Sequence, residues 1–347
     1  MPAISPADAI SPAIQRTKIF LFRPFSLGTY LKLCLVAALT EGSSGGGNFN
    51  FSNWGNHSHS RQSFAWPNMP VHVTPLTIAA GLAMIALVML LGFWIAWLIT
   101  RLRFAYFHCL IHNIKFIRPG WRLYREPATR FFWLNVVVGL CFLVCLLLAL
   151  LPFAAGFIGL YHTLQSGGRP NVGAIFALIL PMIPIILLFA LAGIAVNIVL
   201  RDFMLPHYAL ENATAGQAWS AVWARIRFEK GGFFVYALLR VLLPIVASIG
   251  IVVVLIIPAI LCIIVGAVVV VALHAALGSG PAGIFIAVSV GIVAFVVAMA
   301  VFIAVFGPVY TWTRQYALLF YGNRYQPLGD ILYPPPPPIA IPAPVMP

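Results

Sequence analysis

Charge is what this chain has least of. Asp, Glu, Lys and Arg make up only 8% of its 347 residues, and just seven residues are acidic. A water-soluble domain carries about one quarter charged residues, so this chain cannot clothe a globule in water. Signatures of chemistry are missing too: there is no HExxH, no phosphate-binding glycine loop and no GxSxG. That poverty argues against an enzyme and against a resident cofactor. Cys34, Cys109, Cys141, Cys145 and Cys262 lack the paired spacing of a zinc site or a secreted disulfide framework, and read as small apolar fillers. His57, His59 and His72 share a stretch with no carboxylate or cysteine to complete a coordination sphere, so no metal is expected there. Asp202, Glu211 and Glu229 stand beside basic residues and read as solvated ion pairs.

What the chain has in abundance is apolar sequence, 62% of its residues with a mean hydropathy of +1.01. Several runs reach the roughly 20 residues a helix needs to cross a bilayer, whereas a membrane barrel shows ten-residue alternation. The expectation is an all-α, polytopic transmembrane helix bundle of about six spans with amphipathic interfacial helices. The spans are expected at residues 27–40, 76–100, 131–160, 173–200, 233–277 and 284–306. The first is short. The fifth is long, and reads either as one crossing with a tilted start near Pro244 or as a hairpin near Pro258. By composition the chain divides into an N-terminal interfacial segment (1–26), a transmembrane domain (27–326) and a proline-rich tail (327–347). A long polar segment precedes the first apolar run, which argues against a cleavable signal.

A net charge of +13 would suggest nucleic acid in a soluble protein, yet here it reports sidedness. Apart from Lys32 and Arg240, which lie inside apolar runs, all basic residues but Arg61 and Arg169 fall in alternate polar segments. Basic residues flanking spans stay cytoplasmic, which puts both termini on the cytoplasmic side of the cell membrane, with lipids and not nucleic acid as partners.

Two phrases repeat. "WRLYREPATRFF" begins at Trp121 and "WARIRFEKGGFF" at Trp223; each has Arg four places later (Arg125, Arg227) and a Phe pair at places ten and eleven (Phe131 and Phe132; Phe233 and Phe234). The rings are expected to anchor at headgroup depth while the arginines reach phosphate. A looser copy opens the chain, with Lys32 seven residues after Phe25 as Arg240 is after Phe233. The spans returning inward end alike, in "RFAYFHCLIHN", "RDFMLPHYALEN" and "TRQYALLFYGN". These patterns predict a threefold repeat of interfacial helix, outbound span, loop and inbound span, arranged about an axis along the membrane normal.

Lys32 and Arg240 either snorkel to the inner surface or capture an anionic group at the mouth of a central cavity, with Arg125 and Arg227 as further headgroup candidates. The functional expectation is a protein that binds or passes an amphipathic, lipid-like anionic molecule. The rival is a scaffold recruiting a protein partner through Pro334 to Pro338 and the cytoplasmic helices. "LFRPFSLGTYLKL", "MLPHYALENATAGQAW" and "FFVYALLRVLLPI" resemble uncharacterised prokaryotic six-span membrane proteins, including the membrane domain of glycerophosphodiester phosphodiesterases. The soluble catalytic domain of those enzymes has no counterpart here, so the resemblance implies a membrane address and no catalytic residues.

Overall fold

The computed structural model describes residues 5–42, 75–166, 172–277 and 281–333. Among them there is no strand, and the all-α expectation holds. Thirteen helices follow in order: α1 Ile10–Phe22, α2 Leu27–Ala37, α3 Pro75–His112, α4 Ile117–Leu123, α5 Arg125–Leu150, α6 Ala154–Gln165, α7 Val172–Ile179, α8 Met182–Ile198, α9 Leu205–Leu210, α10 Ala215–Phe228, α11 Lys230–Leu277, α12 Pro281–Gly322 and α13 Gln326–Leu332. The polyproline run from Pro334 to Pro338, the histidines at 57, 59 and 72, and Arg61 and Arg169 lie outside the described residues.

Among the described residues, five segments are long and apolar enough to cross a membrane: Ala79–His112, Arg125–Gln165, Ile175–Leu210, Lys230–Pro258 and Val288–Gly322. The sixth expected span, residues 27–40, is not among them. It forms α2, 11 residues long, plus a π turn over Ala38–Gly42, together about 24 Å at 1.5 Å per residue and short of the hydrocarbon thickness. The long fifth run is one continuous helix, α11, of 48 residues with Pro244 and Pro258 inside it, which removes the hairpin alternative.

The buried core lies at one end of the described helices. The buried core draws on α1, α2, the last turns of α3, the first of α5, α9, α10, the first turns of α11, and the last of α12 with α13. Its centre is aromatic: Tyr236 stacks on Phe320 (centroids 4.3 Å apart) and Tyr316 (5.3 Å), with Phe203, Phe233 and Tyr321 around them. Beyond this packed end the helices part, and residues 79–96 of α3 together with most of 245–261 of α11 expose their side chains.

The packed end closes as a ring. Each inbound helix lies against the interfacial helix that follows it: α3 on α4, the turn after α8 on α10, and α12 back on α1. The chain turns these corners on asparagine. Asn113 and Asn212 adopt left-handed φ of 54° and 51°, and after Asn113 the amide of Ile114 bonds the Cys109 carbonyl at 3.0 Å, a Schellman stop. α10 then starts with a capping box between Thr214 and Gln217. At the N-terminus α1 begins at Ile10 with Ala9 at its cap.

Candidate functional site

Two helices are interrupted by π turns, Ala38–Gly42 after α2 and Val199–Met204 after α8, and each delivers a carboxylate to the same place. A π turn holds one residue more than an α turn and re-aims the side chains beyond it. Glu41 and Asp202 thereby face a set of arginines from other helices. Asp202 accepts from Tyr236 Oη (2.8 Å) and Arg240 Nε (3.0 Å) on Oδ2, and from Arg314 Nη1 (2.9 Å) on Oδ1. Arg240 Nη2 also donates to Glu41 Oε2 at 2.9 Å, and Arg314 Nε stands 3.7 Å from Glu41 Oε1. Arg103 bonds the Thr40 carbonyl through Nε at 3.1 Å and interacts electrostatically with Glu41 and Arg314. Arg201 interacts with Arg103, Glu41, Asp202 and Arg314.

Four guanidiniums therefore meet two carboxylates, a formal excess of two positive charges. The surroundings are dry: the side chains of Asp202 and Arg314 are 1% and 3% exposed, and Arg240 15%. Arg201 Nη1 is buried without a hydrogen-bond partner. Three of the arginines come one from each inbound segment, Arg103 from α3, Arg201 from the second π turn and Arg314 from α12.

A groove of about 330 Å³ lies farther along the same two helices, lined by Ala247, Gly250, Ile251, Val254 and Leu255 of α11 and Val305 of α12. The α11 residues recur every three or four positions, a single stripe of the helix. Arg240 precedes Ala247 by seven residues and Arg314 follows Val305 by nine, so the cluster and the groove are about 10–14 Å apart along the helix axes.

A second polar chain joins the ends of the inbound segments. Glu211 Oε2 lies 3.0 Å from His207 Nδ1, and His207 Nε2 lies 2.7 Å from Tyr321 Oη. The His207 contact holds Glu211 below its usual carboxylate range. Nearby, Arg324 grips Glu229 with two bonds of 2.7 Å.

Of the headgroup candidates singled out from sequence, the structure brings Arg240 alone into the cluster, and Asp202, expected as a solvated ion pair, is buried there with it. Arg240's expected companion Lys32 is exposed, as are Arg125 and Arg227; Arg227 lies over the Trp223 ring, 5.2 Å from its centroid. Phe131, Phe132 and Phe233 are buried in the packed end rather than set at its rim, while Phe234 and Trp223 remain exposed. Trp121 stacks on Arg101, which Trp97 flanks on its other side. Asn135 donates to the Phe131 carbonyl of its own helix at 2.7 Å. The sequence reading missed Glu41, Asp202, Arg103, Arg201 and Arg314 as one group. One signal pointed at three of them: an arginine opens each of the three matched inbound endings.

Fold and site together define an all-α, membrane-embedded protein whose apolar helices converge on a buried arginine–carboxylate cluster. The chain belongs to a family described as "Family of unknown function (DUF7544)", whose model matches residues 4–331. No curated protein and no solved structure matches it. An uncharacterised family was the expectation, and the match agrees with that; the likeness to six-span membrane proteins and to phosphodiesterase membrane domains gains no support from the comparisons.

Proposed function

We propose that this protein binds an anionic, lipid-like amphiphile from the inner leaflet, its chain in the α11–α12 groove and its charged end drawn toward the arginine cluster. The observation that carries this reading is the shared framework: two helices hold an all-apolar groove and, about two to three turns away, the arginines Arg240 and Arg314. Amphiphiles have that layout, an apolar stretch joined to a charged end. The basic segments at the packed end support a cytoplasmic orientation for it, with the interfacial rings and Arg125 and Arg227 resting on anionic headgroups. In this reading the protein performs no chemistry on what it binds.

The groove offers a clean test, because a side chain at Gly250 meets open space and would fill the groove without a clash. Gly291, equally unobstructed but away from the groove, is the control. Lipid copurifying with the full chain in mild detergent is quantified by mass spectrometry. Gly250→Leu is expected to retain about tenfold less of the bound species, an affinity loss of about 1.4 kcal/mol, while Gly291→Leu retains it. Equal lipid in wild type and both variants would rule the groove out.

A further inference from the structure

The arginine cluster carries more positive charge than its own carboxylates neutralise. Among the described residues, the acidic side chains that meet Arg103, Arg201, Arg240 and Arg314 are Glu41 and Asp202. Guanidinium does not shed its proton in proteins, so the excess is not relieved by titration. Uncompensated charge at membrane depth is expensive, and buried charges persist when something pairs with them. Arg201 gives the excess an address, since its Nη1 is buried with no acceptor while its neighbours are paired.

We propose that the cluster is the seat of an oxyanion of the phosphate-monoester class, held by Arg201 together with Arg103 and Arg314. The inference rests on the amphiphile reading only for whether that phosphate arrives attached to a chain; the charge argument stands without it. Charge selects the class. The three arginines stand at nearly the same place in their segments, ten, eleven and nine residues before Asn113, Asn212 and Asn323. A terminal phosphate carries about −1.5 to −2 charges at neutral pH, which matches the two positive charges in excess, and its oxygens accept charge-assisted hydrogen bonds from guanidinium. A phosphodiester has two free oxygens and one charge, and a carboxylate likewise, so each leaves the cluster positive.

The experiment uses the full chain in nanodiscs of phosphatidylcholine, doped with phosphatidic acid (a monoester) or phosphatidylglycerol (a diester), or with inorganic phosphate in the buffer. Binding is read by native mass spectrometry for the lipids and by ³¹P NMR line broadening for the free ion. Preference for phosphatidic acid by about tenfold or more, abolished in Arg201→Gln and kept in part by Arg201→Lys, supports a lipid-borne monoester. Binding of inorganic phosphate that displaces phosphatidic acid supports the same site filled from solution. Equal binding of both lipids by the wild type, with no response to inorganic phosphate, overturns the proposal, and this comparison needs no variant to fold. Should that happen while Gly250→Leu still sheds lipid, the groove reading survives alone. Phosphate binding with unchanged lipid at Gly250→Leu leaves the oxyanion site standing and sinks the groove.

Discussion

Asp202 accepts three hydrogen bonds, two of them from arginines, and is the most heavily engaged carboxylate at the packed end. Its neutral isostere keeps the shape and leaves Arg240 and Arg314 facing each other with one counter-charge fewer. Asp202→Asn is therefore expected to cost about 3–5 kcal/mol, the range for breaking a buried pair by removing one partner. A thermal or SDS unfolding series in detergent measures it; a loss below about 1 kcal/mol would mean that solvent reaches the cluster. Glu229 makes a pH prediction of the opposite accessibility. The Arg324 guanidinium holds its carboxyl below the ordinary value of 4.5, so the pair stabilises the fold fully above that value. This contribution fades as pH falls below 4.5 through the depressed value, and Arg324→Met should flatten that part of the stability profile. Neither acid's role was legible in the sequence. Each stands beside basic residues, as solvated acids do, and only the partner from a distant helix distinguishes Asp202, buried among arginines, from Glu126, exposed beside Arg130.

At the scale of elements, the close crossing of α2 and α12 depends on a residue without a side chain. A Cβ on Gly307 would lie 2.3 Å from Cys34 Cβ and 2.8 Å from its Cα, so the two helix backbones must separate to admit it. Gly307→Ala is expected to destabilise by about 1–3 kcal/mol, the usual range for overpacking, and Cys34→Gly should restore part of the loss in the double variant. The nearby Tyr30 hydroxyl, which bonds the Ala304 carbonyl at 2.7 Å across the same crossing, reports the separation in its fluorescence or NMR signal. Helix existence was readable from apolar run length, and the endings of α3 and α9 from their asparagines. The two π turns were not readable. An inserted residue leaves composition and run length unchanged but rotates everything after it by about 100°, so a regular 3.6-residue register over residues 36–42 or 198–204 aims Glu41 and Asp202 elsewhere. Lys32 looked like Arg240's twin by spacing, yet lies exposed on α2.

For the whole molecule, the distribution of basic residues predicts that the packed end faces the cytoplasm. Reporter tags inserted at Asn56 and at Arg122 should appear on opposite sides of the membrane, and finding them on one side would invert or dissolve the topology. At the packed end α3 lies on α4, the second π turn on α10, and α12 on α1. The last of these contacts was not legible in the sequence, because a chain pattern carries no information about which distant helices touch. Away from the ring, the upper turns of α3, α11 and α12 touch little protein. Acyl chains are then their only neighbours, so membrane thickness and lateral pressure become part of the architecture: a thinner or more fluid host should let these rods lean outward and loosen the α11–α12 cleft, and a stiffer one should draw them together.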